Sequence, residues 1–225
     1  MRLAEDNIQN DLAFKKNIKV VEEDLHRTFV DLGHFRYGQK LYQPLKNILA
    51  AFSVFRPDVG YVQGMSYIAG SLLMHTGDEL YGFQLFANMM NRYLLYNFYS
   101  FDMPKVNIFF HCFMRLLKER VPRLAQLMVD LQIQCSIFLF EWVIALFSNI
   151  FSLDISSRLW DSYFYFGDSF LMKICISISA ILEKQLDEEN FEQLIIMFKS
   201  VDQYVTEETL FTQLENIKLT DKQYE

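Results

Sequence analysis

Glycine and proline are scarce in this chain, eight and four among 225 residues, so there are few positions for the tight turns that punctuate an all-β fold. Cysteine is scarcer still. Cys112, Cys135 and Cys175 are odd in number, far apart and without metal-ligand spacing, which argues against both a disulfide framework and a zinc site. They read as buried, reduced thiols of a cytoplasmic protein. Positive charge is also in short supply. With 21 Lys and Arg against 28 Asp and Glu, the net charge is −7 and the pI about 5.2. No basic stripe is left to neutralise a phosphate backbone, so a nucleic-acid partner is not expected and a protein partner is. An uninterrupted apolar run is missing as well. The first thirty residues have no signal core, being broken by Glu5, Asp6, Asp11, Lys15 and Lys16. The one membrane-like window, Ile133 to Phe151, carries Glu141 at its centre, Ser136, Ser148 and Asn149 within it, and acidic flanks at Asp130 and Asp154. A charge at that depth points to a core helix, with no direct membrane insertion.

What is present is an interior. Apolar residues make up 52% of the chain and aromatics 16%, with 22 phenylalanines and 12 tyrosines, enough for one large domain or two lobes sharing a core. The apolar residues recur at helical intervals. Leu41, Leu45, Ile48, Leu49 and Phe52 form one stripe, which Arg56-Pro57-Asp58 should end because the residue before proline is pushed out of the α region. Val106, Phe109, Phe110, Phe113 and Leu117 form a second, and Leu124 to Leu131 a third. Phe101-Asp102-Met103-Pro104-Lys105 is the natural joint between an N-terminal part, residues 1–103, and a C-terminal part, residues 104–225. The tail from Leu186 keeps Phe191, Leu194, Ile195 and Phe198 in helical register, so it should pack as a helix that frays at its last residues. The fold class expected is all-α.

Two short stretches carry the chemistry. In Val21-Glu22-Glu23-Asp24-Leu25-His26-Arg27, continuing the helix would make Asp24 and Arg27 neighbours on one face, so that the carboxylate holds the guanidinium. The same spacing also fits an exposed ion pair of little energetic worth. In Gly60-Tyr61-Val62-Gln63-Gly64-Met65, the two glycines permit backbone conformations that a Cβ would block. An ordinary loop before a helix starting near Met65 remains an alternative.

Val21-x-x-Asp24-x-x-Arg27, followed by Thr28-Phe29, resembles the arginine-finger motif of the TBC domain, and Tyr61-Val62-Gln63-Gly64 resembles its glutamine-finger motif. Trp142 to Phe147 is similar to that family's core helix, and Arg158-Leu159-Trp160-Asp161 to a segment of its C-terminal lobe. The resemblance covers roughly Ile18 to Leu182. It implies an all-helical, two-lobed GTPase-activating module, with Arg27 and Gln63 as the catalytic residues supplied in trans. Asp24 would orient Arg27, while Tyr61 and Gly64 would shape the backbone presenting Gln63. The implied partner is a Rab-family GTPase in its GTP form. No cofactor or metal would belong to this chain, GTP and Mg²⁺ arriving with the partner. Cytoplasmic localisation is expected, peripheral on endomembranes through the Rab or other partners. The run Phe55 to Ser66 looks most like members linked to recycling-endosome and autophagy trafficking.

Two departures from the family pattern set expectations of their own. Only about twenty residues precede the arginine motif, so the family's first helices are expected to be missing. Val30 stands where the family usually has proline, so a longer or more helical loop is expected there. A catalytically inactive scaffold that binds a Rab or trafficking protein is the alternative function. The remaining candidates read as structural. Trp142 and Trp160 fix helix packing, Met89 and Met90 fill core, Arg158 pairs with Asp161, and His26 faces solvent.

Overall fold

The structure, a computed structural model, describes residues 12–186 and 190–218. Every regular element among them is helical. The contacts divide the chain into two compact units, Met1–Phe101 and Asp102–Glu225.

The first unit contains α1 (Leu12–Leu25), α2 (Tyr42–Phe55), α3 (Met65–Thr76), α4 (Glu79–Met90) and α5 (Tyr93–Tyr99). Helix α2 buries Leu45, Ile48, Leu49 and Phe52 and packs against α1, α3 and α4. It stops at Phe55, with Arg56 as its C-cap, where Pro57 excludes a further turn. Phe52 meets Phe86 of α4 edge-on at 4.9 Å, the favoured geometry for two quadrupoles. Met89 and Met90 are buried beside them. Helix α1 buries Val21 and Leu25, one turn apart, and places Asp24 on the same buried side. It ends at Leu25 rather than continuing to Arg27. The chain from His26 to Leu32 is a run of turns with Phe29 at φ 45°. Val30 therefore brings no extra helix.

The second unit contains α6 (Met103–Arg120), α7 (Pro122–Asp130), α8 (Ser136–Ile144), α9 (Leu153–Phe166), α10 (Asp168–Lys184), α11 (Phe191–Lys199) and α12 (Glu207–Asn216). Helix α10 is buried nearly all round and packs against α6, α7, α9 and α12. Its Glu183 Oε1 accepts from the Leu124 N–H at 2.8 Å, satisfying a free donor in the first turn of α7 after Pro122, which has none to give. Phe138 stacks on Phe198 at 3.9 Å, and Trp142 closes on both.

The apolar window from Ile133 supplies only the nine-residue helix α8. Leu146 and Phe147, fully buried, turn the chain through φ 46° and 64°, with the Phe147 N–H donating to the Trp142 carbonyl at 2.8 Å. The segment Trp142 to Phe147 is thus half helix and half left-handed turn. Both indoles hold backbone across sequence: Trp142 Nε1 donates to the Phe198 carbonyl at 3.2 Å, and Trp160 Nε1 to the Leu146 carbonyl at 3.0 Å. The expected pair of Arg158 and Asp161 does not form. Arg158 instead bridges to Glu207 and stacks over Phe211 at 3.9 Å, because a planar cation gains from a carboxylate and an aromatic face together. The tail holds two helices, α11 and α12, rather than one, and its last seven residues lie outside the described part. No described helix is long and apolar enough to cross a membrane.

Candidate functional site

Asp24 lies in the last turn of α1 with 1% of its surface exposed. A carboxylate so placed must have its lone pairs filled by the protein. Four donors fill them. Arg27 Nε donates to Oδ1 at 2.5 Å. On Oδ2 converge the Tyr61 hydroxyl, the Gly64 N–H at 3.0 Å and the Ser66 hydroxyl at 3.2 Å. One buried anion therefore ties the turn carrying Arg27 to the loop carrying Gln63.

Each donor is in place for a local reason. Once α1 stops, the Arg27 N–H bonds to the Asp24 carbonyl at 3.1 Å, which turns the guanidinium back onto its neighbour three residues before. The Tyr67 hydroxyl donates to the Arg27 carbonyl at 2.8 Å, fixing that turn from α3. Gly64 is the N-cap of α3 at φ 100°, a left-handed conformation that costs a side chain roughly 1–2 kcal/mol. It directs the Gly64 N–H at Asp24 and leaves Gln63, the residue before it, exposed. Among the described residues no side-chain hydrogen bond engages Gln63, so its carboxamide is available to an incoming molecule.

Gly60 begins the same turn at φ 67°, and a Cβ there would lie 3.3 Å from Asn17 Nδ2. We expect Gly60→Ala to lower stability by about 1–2 kcal/mol, read as a shift in urea midpoint with unchanged slope.

The electrostatics follow from the burial. Partial desolvation pulls the Arg27 guanidinium down, but the hydrogen bond and charge of Asp24 more than offset it and raise its pKa. Half of the Arg27 side chain stays exposed. Burial, and then the charge of Asp24, push the Tyr61 phenol well above its ordinary value. It therefore remains a donor throughout the neutral range. Tyr67 and Tyr99 are pushed upward by the same two causes.

The five residues singled out in the sequence, Arg27, Gln63, Asp24, Tyr61 and Gly64, thus meet around one carboxylate, with Gln63 joined to it through the adjacent Gly64. Tyr61 and Gly64 do more than shape the glutamine loop: both bond directly to Asp24. Sequence reasoning missed Ser66, Thr28 and Tyr67. Thr28 Oγ1, 2% exposed, lies 2.8 Å from the Asp24 carbonyl and 2.7 Å from Ser66 Oγ, so its single proton joins the last turn of α1 to the first turn of α3. The sequence signal was weak: Ser66 stands between Met65 and Tyr67, whereas Thr28 follows Arg27 and Tyr67 follows Ser66, so no apolar flanking marked either of these. His26 is exposed, as expected, with its ring 6.5 Å from that of Tyr42. No cluster of three or more His, Cys, Asp or Glu capable of holding a metal occurs among the described residues.

The sequence model of the Rab-GTPase-TBC domain matches residues 2–186. The chain belongs to this family. Similar TBC proteins include TBC1 domain family member 14 of Homo sapiens, 28% identical over 206 residues, which cover 92% of this chain and 30% of that protein. TBC1 domain family member 12 of Xenopus tropicalis is 30% identical over 195 residues, covering 87% of this chain and 28% of the relative. The chain therefore spans about 30% of the length of these TBC relatives. Among solved structures, the Chlamydomonas flagellar RabGAP TBC domain superposes with a TM-score of 0.76 at 23% identity, covering 93% of this chain and 69% of that one. The Ypt/Rab-GAP domain of Gyp1p gives 0.74 at 16% identity, covering 95% of this chain and 77% of that one. The fold is that of a TBC domain.

Proposed function

We propose that this TBC domain accelerates GTP hydrolysis by a Rab-family GTPase in its GTP form, with Arg27 and Gln63 supplied in trans. The observation that carries this reading is the Asp24 carboxylate, which holds Arg27 on one oxygen and the residue after Gln63 on the other. A guanidinium and a carboxamide fixed to a common anchor suit a reaction whose catalysis is positioning and charge stabilisation. Arg27, planar and permanently charged, neutralises charge on the γ-phosphoryl oxygens as it develops. Gln63 accepts from the attacking water and donates to a phosphate oxygen. Neither group is consumed. The chain contributes no nucleotide or metal to this reaction; GTP and Mg²⁺ come with the partner. It reaches endomembranes through that partner, and its work lies in vesicle trafficking.

Single-turnover hydrolysis by a panel of GTP-loaded Rabs tests the proposal. One or a few should be stimulated, and Gln63→Ala should cut that stimulation by about 10²–10³-fold, the usual cost of one preorganised hydrogen-bonding group. Binding of GTP-loaded Rab without stimulation would establish a scaffold instead. Stimulation indifferent to Gln63→Ala would refute the two-residue mechanism.

A further inference from the structure

The Asp24 network holds the glutamine loop on both sides of Gln63, through Tyr61 before it and through Gly64 and Ser66 after it, and a second anchor lies further upstream. There, where the loop leaves α2, stands Arg56, the C-cap of that helix. Its Nε and Nη2 form a fork on Asp58, at 2.9 and 2.7 Å. Its Nη1 donates to Asn91 Oδ1 at 2.5 Å, Asn91 being the C-cap of α4. The guanidinium also lies over the Tyr96 ring of α5 at 5.1 Å. Its main chain is equally engaged. The Arg56 carbonyl accepts from the Val59 N–H at 3.1 Å and the Gly60 N–H at 2.8 Å, closing the turn whose next residue is Tyr61.

A lone surface ion pair would contribute little. Here the geometry differs in kind: two parallel bonds fix the plane of the guanidinium, a third bond fixes its rotation, and an aromatic face covers it. With three donors and one face occupied, Arg56 is not a second finger for the nucleotide. It is a rigid strut between the corner joining α4 to α5 and a loop that otherwise bends about Gly60. The fork closes on Asp58, two residues on, across Pro57, whose ring already limits the backbone there.

We propose that Arg56 is a positioning residue for Gln63, acting through Asp58 and the Val59–Gly60 turn; this rests on the function proposed above. Catalysis by a positioned group is steep in distance, so a small displacement of the carboxamide lowers the rate without weakening the encounter.

The test uses the full chain and begins without any GTPase. In Arg56→Ala, hydrogen exchange at the Val59 and Gly60 amides should accelerate roughly 10-fold or more, while the amides of α1 and α3 keep wild-type rates. Unchanged exchange at those two amides overturns the inference whatever any Rab does. With a responsive Rab, Arg56→Ala should lower the maximal stimulated rate roughly 10-fold and leave the half-saturating concentration within about twofold. Arg56→Lys, which keeps the charge but cannot fork, should be equally impaired. In a Gln63→Ala background, Arg56→Ala should cost nothing further, because two residues acting through one group are not additive. A full additional loss there, or full activity of Arg56→Lys, rules out the strut. Wild-type stimulation that does not depend on Gln63 would instead refute the proposed function, so the two failures are told apart.

Discussion

Arg27→Ala is expected to reduce Rab GTPase stimulation by about 10³–10⁵-fold, the range associated with an arginine finger supplied in trans. That span corresponds to roughly 4–7 kcal/mol of barrier. Most of it should appear in the maximal rate rather than in the half-saturating concentration, because the charge that Arg27 meets develops only on the way to the transition state. Arg27→Lys should recover little. An ammonium cannot offer two parallel donors, and it has no Nε–H with which to stay on Asp24 Oδ1 while presenting donors to a partner. Folding should register the change modestly, by about 1–3 kcal/mol, because Oδ1 of the buried Asp24 loses its donor. The side chain is half exposed, its ion pair is discounted by solvent, and Asp24 retains three other donors. A urea midpoint modestly lowered beside a collapsed stimulated rate is the expected combination. A variant that keeps the wild-type rate would remove Arg27 from the mechanism.

How far the sequence could be read depended on the distance between interacting residues. The stripe Leu45, Ile48, Leu49, Phe52 was legible because helical periodicity and the stop at Arg56-Pro57 are both local. So was the pairing of Asp24 with Arg27, three residues apart, although helix continuity was the wrong reason for it: a turn after Leu25 makes the contact. Arg158 shows where local reading fails. Asp161 stood at a suitable spacing, yet the partner is Glu207, 49 residues away, together with Phe211. The segment Trp142 to Phe147 shows another limit. Its composition reads as uninterrupted helix, but Leu146 and Phe147 take left-handed conformations that neither side chain favours, and burial of both in the second unit sets that outcome. At the site, the two motifs could be found from their residue types. Their convergence on a single carboxylate could not, since Tyr61, Gly64 and Ser66 reach Asp24 from 37 to 42 residues away and only the packing of α1 against α3 brings them there.

That convergence makes Asp24 the most sensitive position of the site for fold and function together. Asp24→Ala leaves the Tyr61 hydroxyl, the Gly64 N–H and the Ser66 hydroxyl without their acceptor. Donors left unmade in an interior cost about 1–3 kcal/mol each, and some relief comes from rotation of the two hydroxyls. The expected loss of stability is about 3–5 kcal/mol, in the range for breaking a buried charged network. Asp24→Asn is the sharper experiment because its shape is unchanged. Replacing one carboxylate oxygen by an amide nitrogen creates a donor facing a donor in either orientation. The hydroxyls of Tyr61 and Ser66 can turn away, but the Gly64 N–H is fixed by the backbone, so the surviving oxygen should settle toward Gly64 and the nitrogen toward Arg27. The variant should then keep the glutamine loop and release the arginine. Its stimulation should fall toward that of Arg27→Ala, while the exchange rate of the Gly64 amide stays near wild type. The opposite result, a fast-exchanging Gly64 amide with the stimulated rate preserved, would mean that Asp24 serves the glutamine loop alone and that Arg27 finds its position without it.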